Sequence, residues 1–350
     1  MSEQFLLKKF NNINLNDEFF DSLKNDYAEF PAWFKGKCNS NDSAYIQLVN
    51  NSLKGFLYLK EEIGPINDVQ PPIICDKAVK IGTFKVAPHG TRLGERFIKK
   101  SLDFAINNNI STVYVTIFSH HEYLLNMFLK FGFYIHGSKK TANGTENVLI
   151  KDLSIVSNNI LKDYPLVNCN SKAYLLGIKP EYHTKLFPES KLVNENFDII
   201  KDVSHTNSIT KIYIAKMYDL RRIHVNDNLV IYRTSDHMGP AKYRSVATTI
   251  CTVEDIRTLN SFNSFEDLKK YCKNYSIFTD DEIENYYSSP QTFYAIKMTY
   301  NISLKKRIIQ GDLIDKVSLN PSYWGFASLS HKQFNDILSL GNVNEGYLLR

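Results

Sequence analysis

The stretch from Lys80 to Phe133 limits the fold more than any other part of the chain, because strand, glycine-bearing loop, helix, strand and helix follow one another with almost no slack. Lys80 to Val86 (KIGTFKV) puts Ile81, Thr83 and Lys85 on one face and Gly82, Phe84 and Val86 on the other, the period of a strand, and Pro88 stops it. His89-Gly90-Thr91-Arg92-Leu93-Gly94 then makes a sharp turn. From Arg92 the period is helical, with Leu93, Phe97, Leu102 and Ala105 on one stripe and Arg96, Lys99, Lys100 and Asp103 on the other. Thr112 to Phe118 (TVYVTIF) reads as a second strand, and His120 to Phe131 as a second helix closed by Gly132. A glycine loop that opens a helix leaves backbone N–H groups without intrahelical acceptors at the positive end of the helix dipole, which suits a phosphate.

A chain of 350 residues fits two domain cores better than one. Its 42 basic and 37 acidic residues leave +5, a mild excess that allows an anionic or nucleic-acid partner without requiring one. Cys38, Cys75, Cys169, Cys251 and Cys272 are scattered without a CxxC pair, so the spacing suggests neither a zinc site nor a disulfide framework. Reduced thiols fit a cytoplasmic protein. No apolar run reaches a membrane span, and MSEQFLLKKFNN lacks the order of a signal peptide, so no membrane association is expected.

Along the chain, Phe5 to Phe10 reads as a strand, Asp17 to Tyr27 as a helix ending before Phe30-Pro31, and Ala44 to Val49 with Leu53 to Leu59 as a hairpin around Asn50-Asn51-Ser52. After Gly132 come two closing strands, Phe133 to Gly137 and Asn147 to Leu153, which completes an α/β domain over 1–153 with a mixed sheet and flanking helices. Residues 154–203 read as a connector with packed, irregular structure. From Ile209 the period is two again, with strands expected near Ile212, Leu229 to Tyr232, Ser245 to Val253 and Thr292 to Tyr300. Helical inserts are expected at Phe265 to Lys273, Asp280 to Tyr287 and Lys332 to Leu338, the last capped by Ser330 with Gln333 three residues on. The domain over 204–350 is therefore mainly β.

The Lys80 to Phe133 unit resembles the acetyl-CoA-binding core of the GNAT N-acetyltransferase superfamily, in element order over about residues 1–153. The family's pyrophosphate loop falls on His89, Gly90, Thr91, Arg92, Leu93 and Gly94; His89 stands where Arg or Gln is usual and Arg92 where a middle glycine is usual. The second helix ends in the family's Gly-Phe pair, here Gly132-Phe133. The resemblance implies acetyl-CoA as cofactor, held by Phe84, Val86, the loop from His89 to Glu95, and Phe128.

Acetyl transfer to an amine calls for a base to deprotonate the amine and an acid to protonate the leaving thiolate. The family's tyrosine, four residues before the glycine of the Gly-Phe pair, is here Phe128, which cannot donate a proton. Tyr123, Tyr134, His120 and His121 are nearest in sequence and are the candidate catalytic residues. The two histidines have no third ligand at metal-binding spacing, so no metal is expected. No Ser-His-Asp, kinase or Walker pattern is present.

The second half resembles PUA-like domains, the small β-barrels that include ASCH and EVE modules, through Asn226-Asp227-Asn228-Leu229-Val230-Ile231-Tyr232-Arg233. That resemblance implies binding of RNA or modified bases, for which Arg221, Arg222, Arg233, Lys242, Tyr243 and Arg244 would supply phosphate contacts and stacking. The expectation is an acetyl-CoA-dependent N-acetyltransferase acting on an amine, with a PUA-like module that selects the acceptor. Its rival is a nucleic-acid-binding protein that keeps the acetyltransferase fold as a scaffold.

Overall fold

The computed structural model describes residues 3–88, 90–190, 192 and 203–350, in two compact units, Met1–Asp163 and Tyr164–Arg350. The first unit runs β1 (Glu3–Lys9), α1 (Asp21–Asp26), α2 (Phe30–Asn39), β2 (Ser43–Val49), β3 (Ser52–Ile63), β4 (Lys77–Val86), α3 (Leu93–Asn107), β5 (Thr112–Phe118), α4 (Glu122–Lys130), β6 (Tyr134–Thr141) and β7 (Gly144–Asp152). Its seven strands form one sheet in the order β1-β2-β3-β4-β5-β7-β6, parallel only between β4 and β5. Asn50 and Asn51 both have positive φ, 49° and 62°, the two-residue turn whose twist matches a hairpin. The expected helix end before Pro31 holds for α1, but Pro31 also opens α2, where its missing N–H costs nothing.

A glycine decides the shape of the sheet. In the β3–β4 ladder Tyr58 faces Thr83 and Leu59 faces Ile81, so Gly82 is the extra residue of a β-bulge. The parallel β4–β5 pairing runs from Ala78–Thr112 to Ile81–Val115 and stops at that bulge. A bulge bends its strand and raises the local twist. Beyond Gly82 the strands part, each still held by its outer neighbour, β3 or β7.

Helix α3 covers this face of the sheet more closely than its sequence suggests. At Gly55 of β3 a Cβ would stand 2.7 Å from both Leu93 and Phe97, so the helix rests directly on the strand. The expected polar stripe is not solvated: Arg96 and Lys99 are buried, Arg96 lying over the Phe5 ring at 4.2 Å and Lys99 bonding Asp103 at 2.7 Å. Long aliphatic stems let such side chains pack as apolar surface while their heads find partners.

The second unit runs β8 (Val167–Asn168), β9 (Ala173–Ile178), α5 (Pro180–Leu186), α6 (Ser204–Asn207), β10 (Thr210–Ala215), β11 (Asn228–Arg233), α7 (Ala241–Arg244), β12 (Val246–Thr258), α8 (Phe265–Cys272), α9 (Asp280–Tyr287), β13 (Tyr294–Ile309), α10 (Gln310–Val317), β14 (Phe326–Leu329), α11 (His331–Leu340) and β15 (Leu348–Leu349). Six strands form a sheet ordered β10-β13-β12-β11-β9-β14, and three register shifts in the β12–β13 ladder bend it. The expected connector over 154–203 is corrected here: β9 pairs in parallel with β11 and antiparallel with β14, inside the sheet. Covered on both faces, Ala173–Ile178 is buried at nearly every position and shows no alternation to reveal it as a strand. Residues 193–202 of that stretch lie outside the described residues. Among the described residues no helix is long and apolar enough to cross a membrane.

Candidate functional site

The wedge between the parted strands is the candidate site of the first unit. Thr83 to Val86 of β4 and Thr116 to Phe118 of β5 turn strand edges toward it, and the loop from Ala87 to Arg92 leads from its mouth into α3. The first N–H groups of α3, at Leu93 and Gly94, have no acceptor within the helix by geometry, while Glu95 N–H already bonds Arg92 O at 2.9 Å. An extended chain with amides and a phosphate at one end fits such a place: strand edges for the amides, a helix start for the charge.

The loop accounts for one of the sequence departures, Arg92. Gly90 has φ 72° and Arg92 has φ 56°, the left-handed region that favours glycine. A middle glycine at position 92 would take that conformation without strain; the arginine is held there with its guanidinium on Glu95 at 2.8 Å. Buried Glu95 also accepts from Lys130 at 3.2 Å, tying α3 to α4. Gly94 turns its open side to Met127, where a Cβ would come within 2.7 Å of Cε, so its missing side chain serves helix packing. His89, expected in the phosphate loop, lies outside the described residues.

Phe84 and Phe128 meet edge to face at 5.2 Å, and Phe128 also packs on Phe133 at 4.8 Å. Phe128 is fully buried, and its ring is a core contact of the bent strand. Val86 ends β4 at the mouth of the wedge, with Thr91 further along the loop.

At the C-terminal end of β5 the chain gathers groups far apart in sequence. His121 Nε2 lies 3.1 Å from Asp26 Oδ2, at the end of α1, and His120 Nε2 lies 3.9 Å from Asp26 Oδ1. The His120 ring stacks on Phe118, which stacks in turn on Tyr27 at 5.2 Å. Tyr27 donates to the buried Glu146 of β7 at 2.5 Å, and burial followed by that carboxylate holds its phenol well above the ordinary tyrosine range. Asn143, in the turn before β7, donates to Glu29 at 2.8 Å and closes the same corner. These carboxylates and imidazoles can accept a proton from an ammonium group.

Of the four catalytic candidates, His120 and His121 stand at this corner, and Tyr123, the second residue of α4, is exposed. Tyr134 is not brought there: it pairs with Ile150, two strands from β5 and five residues along β6 from Lys139, which faces Glu146. Sequence reasoning missed Asp26, Tyr27 and Glu146, for which spacing carries no signal, and Gly82, for which a glycine inside a strand pattern was the available sign of a bulge. Asp26 stands beside both histidines in space, a neighbour that spacing along the sequence does not show.

The nucleic-acid set of the second unit is split. Arg222 O accepts from Tyr174 at the start of β9, whereas Arg233 ends β11 at the level of Ile178. Four residues of strand, about 13 Å, separate the levels of Tyr174 and Ile178. Arg221 and Arg222 are exposed at one end, with Arg221 over the Tyr218 ring at 3.9 Å. At the other end Arg233 is buried, Arg244 makes a bidentate pair with Asp236 at 2.5 Å, Lys242 faces Asp315 at 3.4 Å, and Tyr243 is exposed. The Arg244 bonds hold the Asp236 carboxyl well below the usual carboxylate range. Beneath them lies a buried polar cluster: His183 Nε2 meets Thr248 Oγ1 at 2.7 Å, and Ser190 bonds Thr249 at 2.6 Å and Tyr300 at 3.1 Å.

No protein-family model matches the chain, and no curated protein matches it. Solved structures of two kinds do, each over about half of it. One is an N-acetyltransferase from Staphylococcus aureus Mu50, 15% identical, covering 44% of this chain and 100% of that one, with a TM-score of 0.35. A PaiA N-acetyltransferase from Thermoplasma acidophilum in complex with coenzyme A is 15% identical, over 43% of this chain and 99% of that one, at 0.31. The other kind is ASCH from Zymomonas mobilis, 12% identical, over 48% of this chain and 95% of that one, at 0.34. The similarity is one of fold. The structure itself shows a mixed α/β first unit and a mainly β second unit.

Proposed function

We propose that the chain is an N-acetyltransferase that takes its acetyl group from acetyl-CoA. The observation that carries this reading is the bulge at Gly82, which ends the β4–β5 pairing and opens two strand edges beside the start of α3. The pantetheine amides would pair with the edge from Thr83 to Val86, and the pyrophosphate would lie against the N–H groups of Leu93 and Gly94 with Thr91 beside it. The acetyl thioester would then point toward the end of β5. There the Asp26–His121 pair, with Glu146 behind Tyr27, would take the proton of the acceptor ammonium. Phe128 supplies no proton, so the departing thiolate would be protonated by another group or leave as the anion.

The second unit would select the acceptor by binding RNA. Support for this is narrower than the sequence suggested, resting on two separate groups: exposed Tyr218 with Arg221 and Arg222, and exposed Tyr243 and Lys242 beside the half-buried Arg244. The test of the main reading is direct titration of the purified full-length chain with acetyl-CoA by calorimetry, followed by acetylation of an amine panel. Absence of binding at millimolar acetyl-CoA would leave the rival reading, a nucleic-acid-binding protein on an acetyltransferase scaffold.

A further inference from the structure

Asp26, His120 and His121 come from the end of α1 and the start of α4, yet they turn three ligand atoms to one point. One carboxylate oxygen and one ring nitrogen from each histidine lie within 4.8 Å of one another. A hydrogen bond explains the 3.1 Å approach of His121 to Asp26. It does not explain His120, whose Nε2 is 3.9 Å from the other carboxylate oxygen, too far to bond. The two approaches, each to a different oxygen of the same carboxylate, bracket the separation of about 3.4 Å between ligands on a tetrahedral zinc-sized ion, whose bonds to nitrogen and oxygen are about 2.0 to 2.2 Å.

The surroundings fix the donors. His120 is stacked on Phe118, 13° from parallel, and the two histidine rings are 4.1 Å apart. Neither ring can swing away without losing that packing. The His120 side chain is 61% exposed and the Asp26 side chain 25%, so water can complete the coordination sphere on the solvent side. The charge facing Asp26 from β4 is Lys85, whose ammonium feels that carboxylate and bonds Ser22. Two imidazoles and one carboxylate are a donor set for zinc and its neighbours in the first transition row, not for magnesium or calcium, which take oxygen ligands.

We propose that Asp26, His120 and His121 form a binding site for a divalent transition-metal ion of the zinc type, held by the Asp26 carboxylate and the two Nε2 atoms. The binding claim stands on geometry alone. Its consequence rests on the acetyltransferase reading: an ion there occupies the imidazole lone pairs that would accept the proton of the amine, so zinc inhibits transfer.

The experiment is titration of the untagged full-length chain with Co2+, read by its visible spectrum. One Co2+ per chain is expected, displaced by Zn2+ and not by Mg2+, and without a thiolate-to-cobalt band, since the five cysteines lie elsewhere. Asp26→Asn, His120→Ala and His120→Gln should each weaken binding at least tenfold, with far-UV spectra and metal-free melting temperature unchanged. His136→Ala, whose imidazole bonds Pro71 O at 3.0 Å, should bind as the wild type does. No binding by the wild type, wild-type affinity in both His120 variants, or a cobalt–thiolate band would overturn the proposal. Cobalt binding without acetyl-CoA binding would leave the metal site standing and remove the transferase reading; acetyl-CoA binding without cobalt binding would do the reverse.

Discussion

Gly82 lies against the ring of Tyr58: a Cβ at Gly82 would stand 2.8 Å from Tyr58 Cδ1 and 3.3 Å from Cε1. The ring cannot yield easily, because Tyr58 is buried and its hydroxyl donates to Asp42 at 2.9 Å. Gly82→Ala should therefore cost about 1 to 3 kcal/mol by overpacking. It should also shift the bulge and weaken acetyl-CoA binding more than Gly36→Ala, whose Cβ would meet nothing within 4 Å. Urea unfolding and calorimetry on both variants check this; equal effects would remove the bulge from the argument.

Arg92→Gly separates two roles for this side chain. Glycine relieves a left-handed backbone, a gain of about 1 kcal/mol, but gives up the bond to Glu95, which keeps Lys130. Stability should stay within about 1 kcal/mol of the wild type, and acetyl-CoA affinity should hold or rise. A tenfold loss of affinity would mean that the guanidinium itself meets the phosphates.

Phe128→Tyr tests the site where a tyrosine is usual in the resembling family. The ring is enclosed by Phe84 and Phe133, so a hydroxyl without a partner should cost about 1 to 3 kcal/mol in urea unfolding and should not raise turnover. Unchanged stability with faster transfer would show that the para position opens into the wedge.

Much of this fold was legible because local signals agreed with the final packing. Thr112–Phe118 is a strand at the expected residues, and Ser330 and Gln333 make the expected capping box. Signals failed where burial or distance hides them. Ala173–Ile178 lacks alternation because both faces are covered. Helix α10 begins after Ile309, which has no side chain to cap it. The corner at His121 depends on Asp26, 95 residues away, which only the closed sheet brings near. The period of α3 put Arg96 and Lys99 on its polar stripe, but Arg96 lies over Phe5 and Lys99 bonds Asp103, both buried.

His183 sets an acid limit on the second unit. Burial first, then the charges of Arg233 and Arg307, push its imidazole down to about 3. The unfolded chain binds a proton near pH 6.5 and the folded one does not until about 3, so the stabilisation is complete above pH 6.5 and is lost as pH falls toward 3. The loss should approach about 4 kcal/mol. His183→Gln, which can still bond Thr248, should show a shallower fall of stability between pH 6.5 and 4 in hydrogen exchange of β11 and β12; an identical slope would remove His183 as its source.

If RNA docks at the exposed arginines beside Tyr218, each phosphate contact should contribute roughly −0.7 to the salt slope of single-strand binding. Arg221→Gln with Arg222→Gln should flatten the slope by roughly 1.4. The same change at Lys242 and Arg244 tests the opposite end of the sheet. A slope untouched by either pair would remove RNA from the proposal.

The strand pairing of the two units implies an order of events on the ribosome. In the first sheet paired residues of named strands are never more than 46 positions apart, as in Glu3 with Val49, and the last strand is complete at Asp152. In the second, β9 takes β14 as one neighbour, joining Leu176 to Phe326 across 150 residues. Closing so long a loop is slow and must wait for the distant partner to be synthesised. The nascent chain can finish its first sheet while most of the second is still untranslated, and for that interval Ala173–Ile178 emerges as an apolar strand awaiting β14.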